Sequence, residues 1–179
     1  MQDKVTFKQA NLRVLTERQV FIDLSLEYFQ WMDKEIMQLC GFSIPSIVNM
    51  SISDYVVFTT DIAAKINSYE GGVYFLKDSS GNVTTMGGIR RLASTSAEIV
   101  RIYTRPQCRG YGYGRKMVSS LILEARRIGY EDLFLDTGVF MKSAHKIYEE
   151  AGFLICPPYS GAEPPEALVP YWLYMKRSL

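Results

Sequence analysis

Two hydrophobic spacings divide the chain. Between Arg18 and Cys40, Phe21, Leu24, Tyr28 and Trp31 recur at helical intervals, and Ile22, Phe29, Met32 and Ile36 form a second stripe beside them. This predicts a long helix ended by Gly41, buried on more than one side. Ahead of it, the alternation from Val5 to Ala10 predicts a first strand. Gly41 to Ile52, with Pro45 inside it, reads as a turn. A second helix is predicted from a cap at Ser53 or Asp54 to about Tyr69, where Gly71-Gly72 stops it.

After residue 72 the period falls to two. Val73 to Lys77 and Val83 to Leu92 flank the turn Asp78-Ser79-Ser80-Gly81-Asn82 and predict a β-hairpin. Ala97 to Thr104 predicts the next strand. Helical spacing returns in Met117, Val118, Leu121, Ile122, Ala125 and Ile128, with Arg126 and Arg127 at the negative end and Gly129 beyond it. Leu133-Phe134-Leu135 predicts a short central strand, Lys142 to Ala151 a short helix ended by Gly152, and Phe153 to Cys156 further extended chain. Five of the seven prolines lie between Pro157 and Pro170, followed by the strand-like Tyr171-Trp172-Leu173-Tyr174-Met175. With no repeat or linker in it, the pattern predicts one α+β domain with a mixed, mostly antiparallel sheet flanked by helices.

Composition narrows the class. At 179 residues, 47% hydrophobic and 22% charged, the chain suits one globular domain with a proper core. Lys and Arg number 20 against 19 Asp and Glu, so no global charge directs the protein to nucleic acid or an anionic membrane. Cys40, Cys108 and Cys156 lie far apart and His145 is the sole histidine, which argues against structural zinc and a disulfide framework. The first residues lack the apolar run of a signal peptide and no stretch approaches a membrane span. A reduced, cytoplasmic setting without a metal is the expectation.

The most specific stretch is Arg109-Gly110-Tyr111-Gly112-Tyr113-Gly114, between a predicted strand and the helix beginning near Arg115. Alternating glycines before a helix present bare backbone N–H groups at the positive end of its dipole, which suits phosphate oxygens. Arg101, Arg105, Arg109, Arg115 and Lys116 flank them. The spacing matches neither Gly-x-x-x-x-Gly-Lys-Ser/Thr nor Gly-x-Gly-x-x-Gly, which excludes the two commonest nucleotide loops.

The run resembles the pyrophosphate loop of the GNAT superfamily of acyl-CoA-dependent N-acyltransferases, Gln/Arg-x-x-Gly-x-Gly/Ala. Ala97 to Tyr103 resembles the family's fourth strand, which splays from the fifth, and Leu133-Phe134-Leu135-Asp136-Thr137 resembles that fifth strand. Ala144-His145-Lys146-Ile147-Tyr148-Glu149-Glu150-Ala151-Gly152-Phe153 resembles its Ala-x-x-Leu-Tyr-x-x-x-Gly-Phe segment. The likeness covers about residues 73–156 and implies a single GNAT-fold domain across 1–179. Residues 1–70 and 157–179 would then border the acceptor, and 73–156 would form the acyl-CoA-binding core. It also implies that amides of Gly110, Tyr111, Gly112, Tyr113, Gly114 and Arg115 hold the pyrophosphate, with Arg109 and Arg115 as supporting charges. Main-chain groups of Ile102, Tyr103 and Thr104 would pair with the pantetheine of acetyl-CoA. Where the family often has Asn, this chain has Met141, with Ser143 as a substitute contact.

Acyl transfer needs a neutral amine, a stabilised oxyanion and a protonated leaving thiolate. The resemblance assigns Tyr148 as general acid, the alternative being a packed core tyrosine. A phenol near pKa 10 facing a thiol near 8.5 makes full proton transfer uphill by about 2 kcal/mol, so a tightening hydrogen bond is the useful contribution. The resemblance also makes Glu98 the candidate base, the alternative being a carboxylate binding the sheet edge or an arginine. The resemblance implies a backbone N–H of the fourth strand, that of Ile102, for the oxyanion, while His145 suits a surface or outer role and Cys108 a bland loop position.

On the acceptor side, Trp31, Tyr159 and Trp172 are candidate lining residues, with core packing as the alternative. Glu27, Asp33 and Glu35 are candidate attractors for a cationic amine, or a solvated helix face. The prolines after Pro157 suit a stiff pocket wall. The resemblance implies an N-acetyltransferase moving an acetyl group from acetyl-CoA directly to a primary amine of a small metabolite. The alternatives are a peptide N-terminal or protein lysine acetyltransferase, for which an open groove is expected, and a non-catalytic acyl-CoA sensor. A homodimer is common in the family, and no residue here decides it.

Overall fold

A computed structural model describes residues 5–179. Seven strands, β1 (Thr6–Gln9), β2 (Gly72–Lys77), β3 (Val83–Arg91), β4 (Ser96–Thr104), β5 (Asp132–Gly138), β6 (Leu154–Cys156) and β7 (Trp172–Ser178), form one sheet ordered β1-β2-β3-β4-β5-β7-β6. Every neighbouring pair is antiparallel except β4–β5. Helices α1 (Leu15–Cys40), α2 (Ile44–Val48), α3 (Ile52–Ala63), α4 (Tyr113–Ile128) and α5 (Lys142–Glu150) complete the α+β domain. Among the described residues, no helix is long and apolar enough to cross a membrane.

The two stripes of α1 explain its length. Phe21 and Leu24, on its first half, pack with Val73, Phe75, Met86 and Tyr103 on one face of the sheet. Phe29, Met32 and Ile36, on its second half, pack with Ile44, Val56, Leu168 and Trp172. The helix therefore starts on the sheet and ends as a wall between α2, α3 and the tail. On the opposite sheet face, Met117, Val118, Leu121, Ile122 and Ala125 of α4 meet Leu76, Ile89, Ile99, Leu133 and Leu135. Burying five such side chains from one helix is the main stabilising contribution of that face.

The helical region differs from expectation in two places. The predicted turn at 41–52 contains α2, whose N-cap Ser43 accepts from Ser46 N–H at 3.2 Å while Pro45 sits in its first turn, where a missing N–H costs nothing. Helix α3 is capped by Ser51, two residues ahead of the predicted cap, and ends at Ala63 rather than near Tyr69. There Asn67 turns the chain, its side chain accepting from Tyr69 N–H at 3.1 Å, a local bond that competes with helix continuation.

Strands β4 and β5 pair only at Ser96–Asp132, Ala97–Leu133 and Glu98–Phe134. Beyond that point β4 keeps β3 as far as Thr104, β5 keeps β7 as far as Gly138, and the two part. A bulge sits on the freed half of β4: the register jumps from Gly88–Val100 to Met86–Tyr103, and Arg101 lies in the left-handed region at φ +55°. Opposite the bulge, Gly87 faces α4, where an added Cβ would lie 3.0 Å from Leu121 Cδ1 and 3.1 Å from Met117 Cγ.

The proline-rich tail is tied down by one buried carboxylate. Glu98, fully buried, accepts from Arg90 Nε at 3.0 Å and from Arg90 Nη2, and Tyr159 OH donates to it at 2.5 Å. Arg90 also donates to Gly161 C=O at 2.7 Å, and the Tyr159 ring packs on Phe134 at 4.7 Å. Two expectations change here. Glu98 faces an arginine and the tail instead of an open site, and Tyr159 anchors the tail instead of lining a cavity. Burial outweighs the hydrogen bonds from Tyr159 and Arg90 and raises the Glu98 carboxyl to about 7.

Two outcomes are expected. Gly87→Val should force α4 off the sheet and cost about 1–3 kcal/mol in urea denaturation, against no change for the exposed Ser119→Ala. Since Glu98 binds its proton more tightly folded than unfolded, its stabilisation is present below its unfolded value near 4.5 and is lost as pH rises through about 7. Glu98→Gln should therefore gain on the parent protein steadily between about pH 5 and about pH 8 in melting experiments. A difference that does not vary with pH would remove this carboxyl from the balance.

Candidate functional site

The parted strands open into a cavity of about 610 Å³. Its walls come from α1 (Tyr28, Phe29, Trp31, Met32), α2, Tyr55 of α3, the bulged half of β4, Asp136 of β5, the start of α4, α5, and the tail at Glu163–Pro165, Leu168 and Trp172. The glycine loop and Tyr148 border the same space.

At the loop end, Gly110 (φ +84°) and Gly112 (φ +78°) hold the left-handed conformation that favours glycine, and a Cβ on either would meet nothing within 4 Å. Gly112 is the N-cap of α4 and offers no side-chain cap. The first helical bond runs from Lys116 N–H to Gly112 C=O at 3.0 Å, so the amides of Gly114 and Arg115 lie ahead of the helical ladder. The result is an open, amide-lined concavity at a dipole's positive end, which fits a diphosphate. Of residues 109–115 all but Tyr111 line the cavity; Tyr111 is 74% exposed and leans on Tyr113.

The flanking cations do not all gather there. Arg109 donates to Thr104 C=O at 3.1 Å and lies over the Tyr103 ring. Arg115 pairs with Glu150, and Arg105 with Glu27 at 3.2 Å. Arg101 sits further back on β4, with its guanidinium 5.4 Å from the Phe29 ring centre. Ile102, Tyr103, Thr104 and Ser143 line the cavity between loop and bulge. Met141 lines it too, its sulfur accepting from Thr137 OH at 3.4 Å.

Tyr148 projects from α5 into the cavity wall, buried against Phe153. Burial, with Asp136 adding to it, pushes its phenol well above the usual tyrosine range, so it keeps its proton. The carboxylates on the cavity wall are Asp136 and Glu163, while Glu98 is not among the lining residues. Asp136 accepts from Trp172 Nε1 at 2.8 Å, and its carboxyl is raised, mainly by burial. Asp136 in turn helps to raise the carboxyl of Glu98, since like charges near one another disfavour ionisation.

Trp31 and Trp172 both line the cavity, bridged edge-on through Phe140 at 5.8 and 5.9 Å between ring centres. Neither Glu27 nor Asp33 reaches it: Glu27 serves Arg105, and Asp33 accepts from Ile44 N–H at 2.6 Å, holding α2 against α1. Glu35 is also absent from the lining. His145 Nε2 meets Gly138 C=O at 3.0 Å, fastening α5 to the end of β5.

Sequence reasoning missed Tyr28, Asp136, Phe140 and Glu163. Tyr28 is hidden within an apolar stripe, although a polar end on such a stripe is a signal. Asp136 was visible as a carboxylate at the end of a central strand. Phe140 and Glu163 carry no local signature, since only the fold brings them to the cavity.

The model of the acetyltransferase (GNAT) family matches residues 44–153. The chain is 30% identical over 92 residues to the uncharacterized N-acetyltransferase YjgM of Escherichia coli, covering 50% of this chain and 55% of that protein. It is 32% identical over 76 residues to the uncharacterized N-acetyltransferase YsnE of Bacillus subtilis, covering 41% and 50%. The chain thus spans about half the length of these curated relatives. Among solved structures, the PaiA N-acetyltransferase of Thermoplasma acidophilum, in complex with coenzyme A, superposes with a TM-score of 0.70 at 10% identity, over 98% of this chain and 99% of that one. That likeness is one of fold. With the family model spanning well over half of its length, the chain belongs to the GNAT family of acetyltransferases.

Proposed function

We propose that this protein transfers an acetyl group from acetyl-CoA to a primary amine of a small metabolite. The observation that carries the reading is that the glycine cradle at the mouth of α4 and the buried phenol of Tyr148 border one cavity. Gly110 to Arg115 would hold the pyrophosphate through backbone amides, helped by Arg109 and Arg115. Ile102, Tyr103 and Thr104, on the edge of β4 that β5 has left, would offer main-chain groups to the pantetheine, with Ser143 across from them. Bound acetyl-CoA supplies an activated thioester.

The chain's own groups account for the proton movements. Tyr148, held neutral by burial, donates a hydrogen bond that strengthens as charge develops on the leaving sulfur. An Ile102 N–H at the bulge is suited to the carbonyl oxygen. Asp136 takes over the place expected of Glu98: it faces the cavity, and its carboxyl, raised mainly by burial, is a stronger base than a solvated one. Walls from α1, α2, α3 and the tail favour a small acceptor over a protein segment. A buried phenol at the reaction end favours turnover over mere sensing.

Gly112→Leu places a side chain over the cradle and strains a left-handed position by about 1–2 kcal/mol. Calorimetry should show coenzyme A binding weakened by about tenfold or more, with the far-ultraviolet dichroism unchanged. Unchanged affinity would take the loop out of the site. Tyr148→Phe should lower kcat about 100-fold in a thiol-release assay while coenzyme A affinity hardly moves. Full activity in that variant would refute its role as donor.

A further inference from the structure

Arg101 stands apart from the other cations of the chain. Its Nη1 is the one buried side-chain nitrogen or oxygen among the described residues that has no hydrogen-bond partner. Among the described residues no carboxylate pairs with it, whereas Arg90, Arg105 and Arg115 each have one. What it meets is the face of Phe29, at 5.4 Å. Leaving a guanidinium N–H buried and unsatisfied costs about 1–3 kcal/mol, a cost removed by any acceptor atom that reaches it.

The backbone is also spent on this placement. Arg101 adopts φ +55°, a conformation costing about 1 kcal/mol or more for a residue with a Cβ. It does so within the bulge, which departs from strand alternation and directs the side chain across the cavity to Phe29 on α1. A lysine or arginine with only a solubility role needs neither the strain nor the burial.

The surroundings indicate what would complete it. Tyr28, on the cavity wall, has its phenol in the combined field of Tyr148, Asp136, Arg101 and Glu163, so opposite charges meet around one ring. Around them the wall is apolar and aromatic: Phe29, Met32, Tyr55, Trp31, Phe140 and Trp172. A ligand satisfying this space has an anion for Arg101, a cationic or neutral amine for the acidic wall at Asp136 and Glu163, and an apolar body. The phosphates of coenzyme A are poor candidates for that anion, because the glycine cradle begins beyond Thr104, about 10 Å further along extended strand.

We propose that Arg101 binds the carboxylate of the acceptor, so that the amine acetylated here belongs to an apolar α-amino acid. This rests on the acetyl-transfer reading above and narrows it to a substrate class. The guanidinium would form a paired hydrogen bond with the carboxylate, a geometry a lysine matches less well. It would hold the amino nitrogen toward Asp136 and Tyr148.

The test uses the full chain with acetyl-CoA and the protein-forming α-amino acids, each paired with its decarboxylated amine. Thiol release should favour an apolar acid over its amine by about 30-fold or more in kcat/KM, the value of one buried hydrogen-bonded charge. The same acid, without acetyl-CoA, should raise the melting temperature. Arg101→Met should erase both effects by raising KM for the acid and should leave calorimetric coenzyme A binding unchanged. Arg101→Lys should restore part of the preference. The proposal is overturned if the amine serves as well as its acid, if no acid is acetylated or raises the melting temperature, or if Arg101→Met keeps the preference. It is equally overturned if that variant weakens coenzyme A binding as much as acid binding, which would make Arg101 a cofactor residue. Failure of the parent protein to bind coenzyme A at all would instead remove the acetyl-transfer reading.

Discussion

The parting of β4 from β5 is the constraint on which the rest of this molecule depends. A sheet is stable because each interior strand finds hydrogen-bond partners on both sides, and here two interior strands give up that pairing after three residue pairs. They remain ordered because each keeps its other neighbour, β3 for β4 and β7 for β5. The result is an edge in the middle of a sheet, with main-chain donors and acceptors facing a cavity. An open edge is normally a hazard for aggregation. Here α1, α5 and the tail surround it as walls of the cavity.

The opening is kept by charge as much as by shape. At its closed end, Glu98 ties β4 to Arg90 of β3 and to Tyr159 of the tail, and it feels the charge of Asp136 on β5. One buried carboxyl therefore joins β4, β3 and the tail where the seam begins. Burying an acid is costly, and its displaced pKa measures that cost. The position is tolerated because the donors around Glu98 fix the proline-rich segment, and with it Glu163, Leu168 and Trp172, against the cavity. A hydrophobic residue at 98 could pack as tightly, but it could not select one position for that tail.

How much of this was legible in the sequence follows from the range over which each signal acts. Helices α1, α4 and α5, the hairpin β2–β3 and the glycine loop were readable because periodicity and turn chemistry act over a few residues. Helix α2 was hidden by Gly41 and Pro45, which mark a turn unless Ser43 and Ser46 are recognised as a reciprocal cap around a first-turn proline. Residue roles decided by the tertiary fold were harder. Glu98 and Tyr159 are chemically suited to a site, and they meet each other instead. Arg101 belongs by sequence to the cations near the loop, and at the bulge it lies instead against Phe29 of α1. No local pattern announces that bulge, because Gly87-Gly88, the partner segment that accommodates it, lies over ten residues away.

Stability and strain are distributed in a way that fits this division. The α4 face of the sheet is closely packed and rich in fully buried aliphatic side chains. The opposite face gathers the left-handed arginine, the displaced carboxyls and the orphaned guanidinium nitrogen. A protein selected for stability alone would spread such costs or remove them, since substitution at each position is chemically simple. Of these groups Arg101 and Asp136 line the cavity, so their unmet polar demand faces the same space. The tight face then serves as the rigid support against which the strained face is held open.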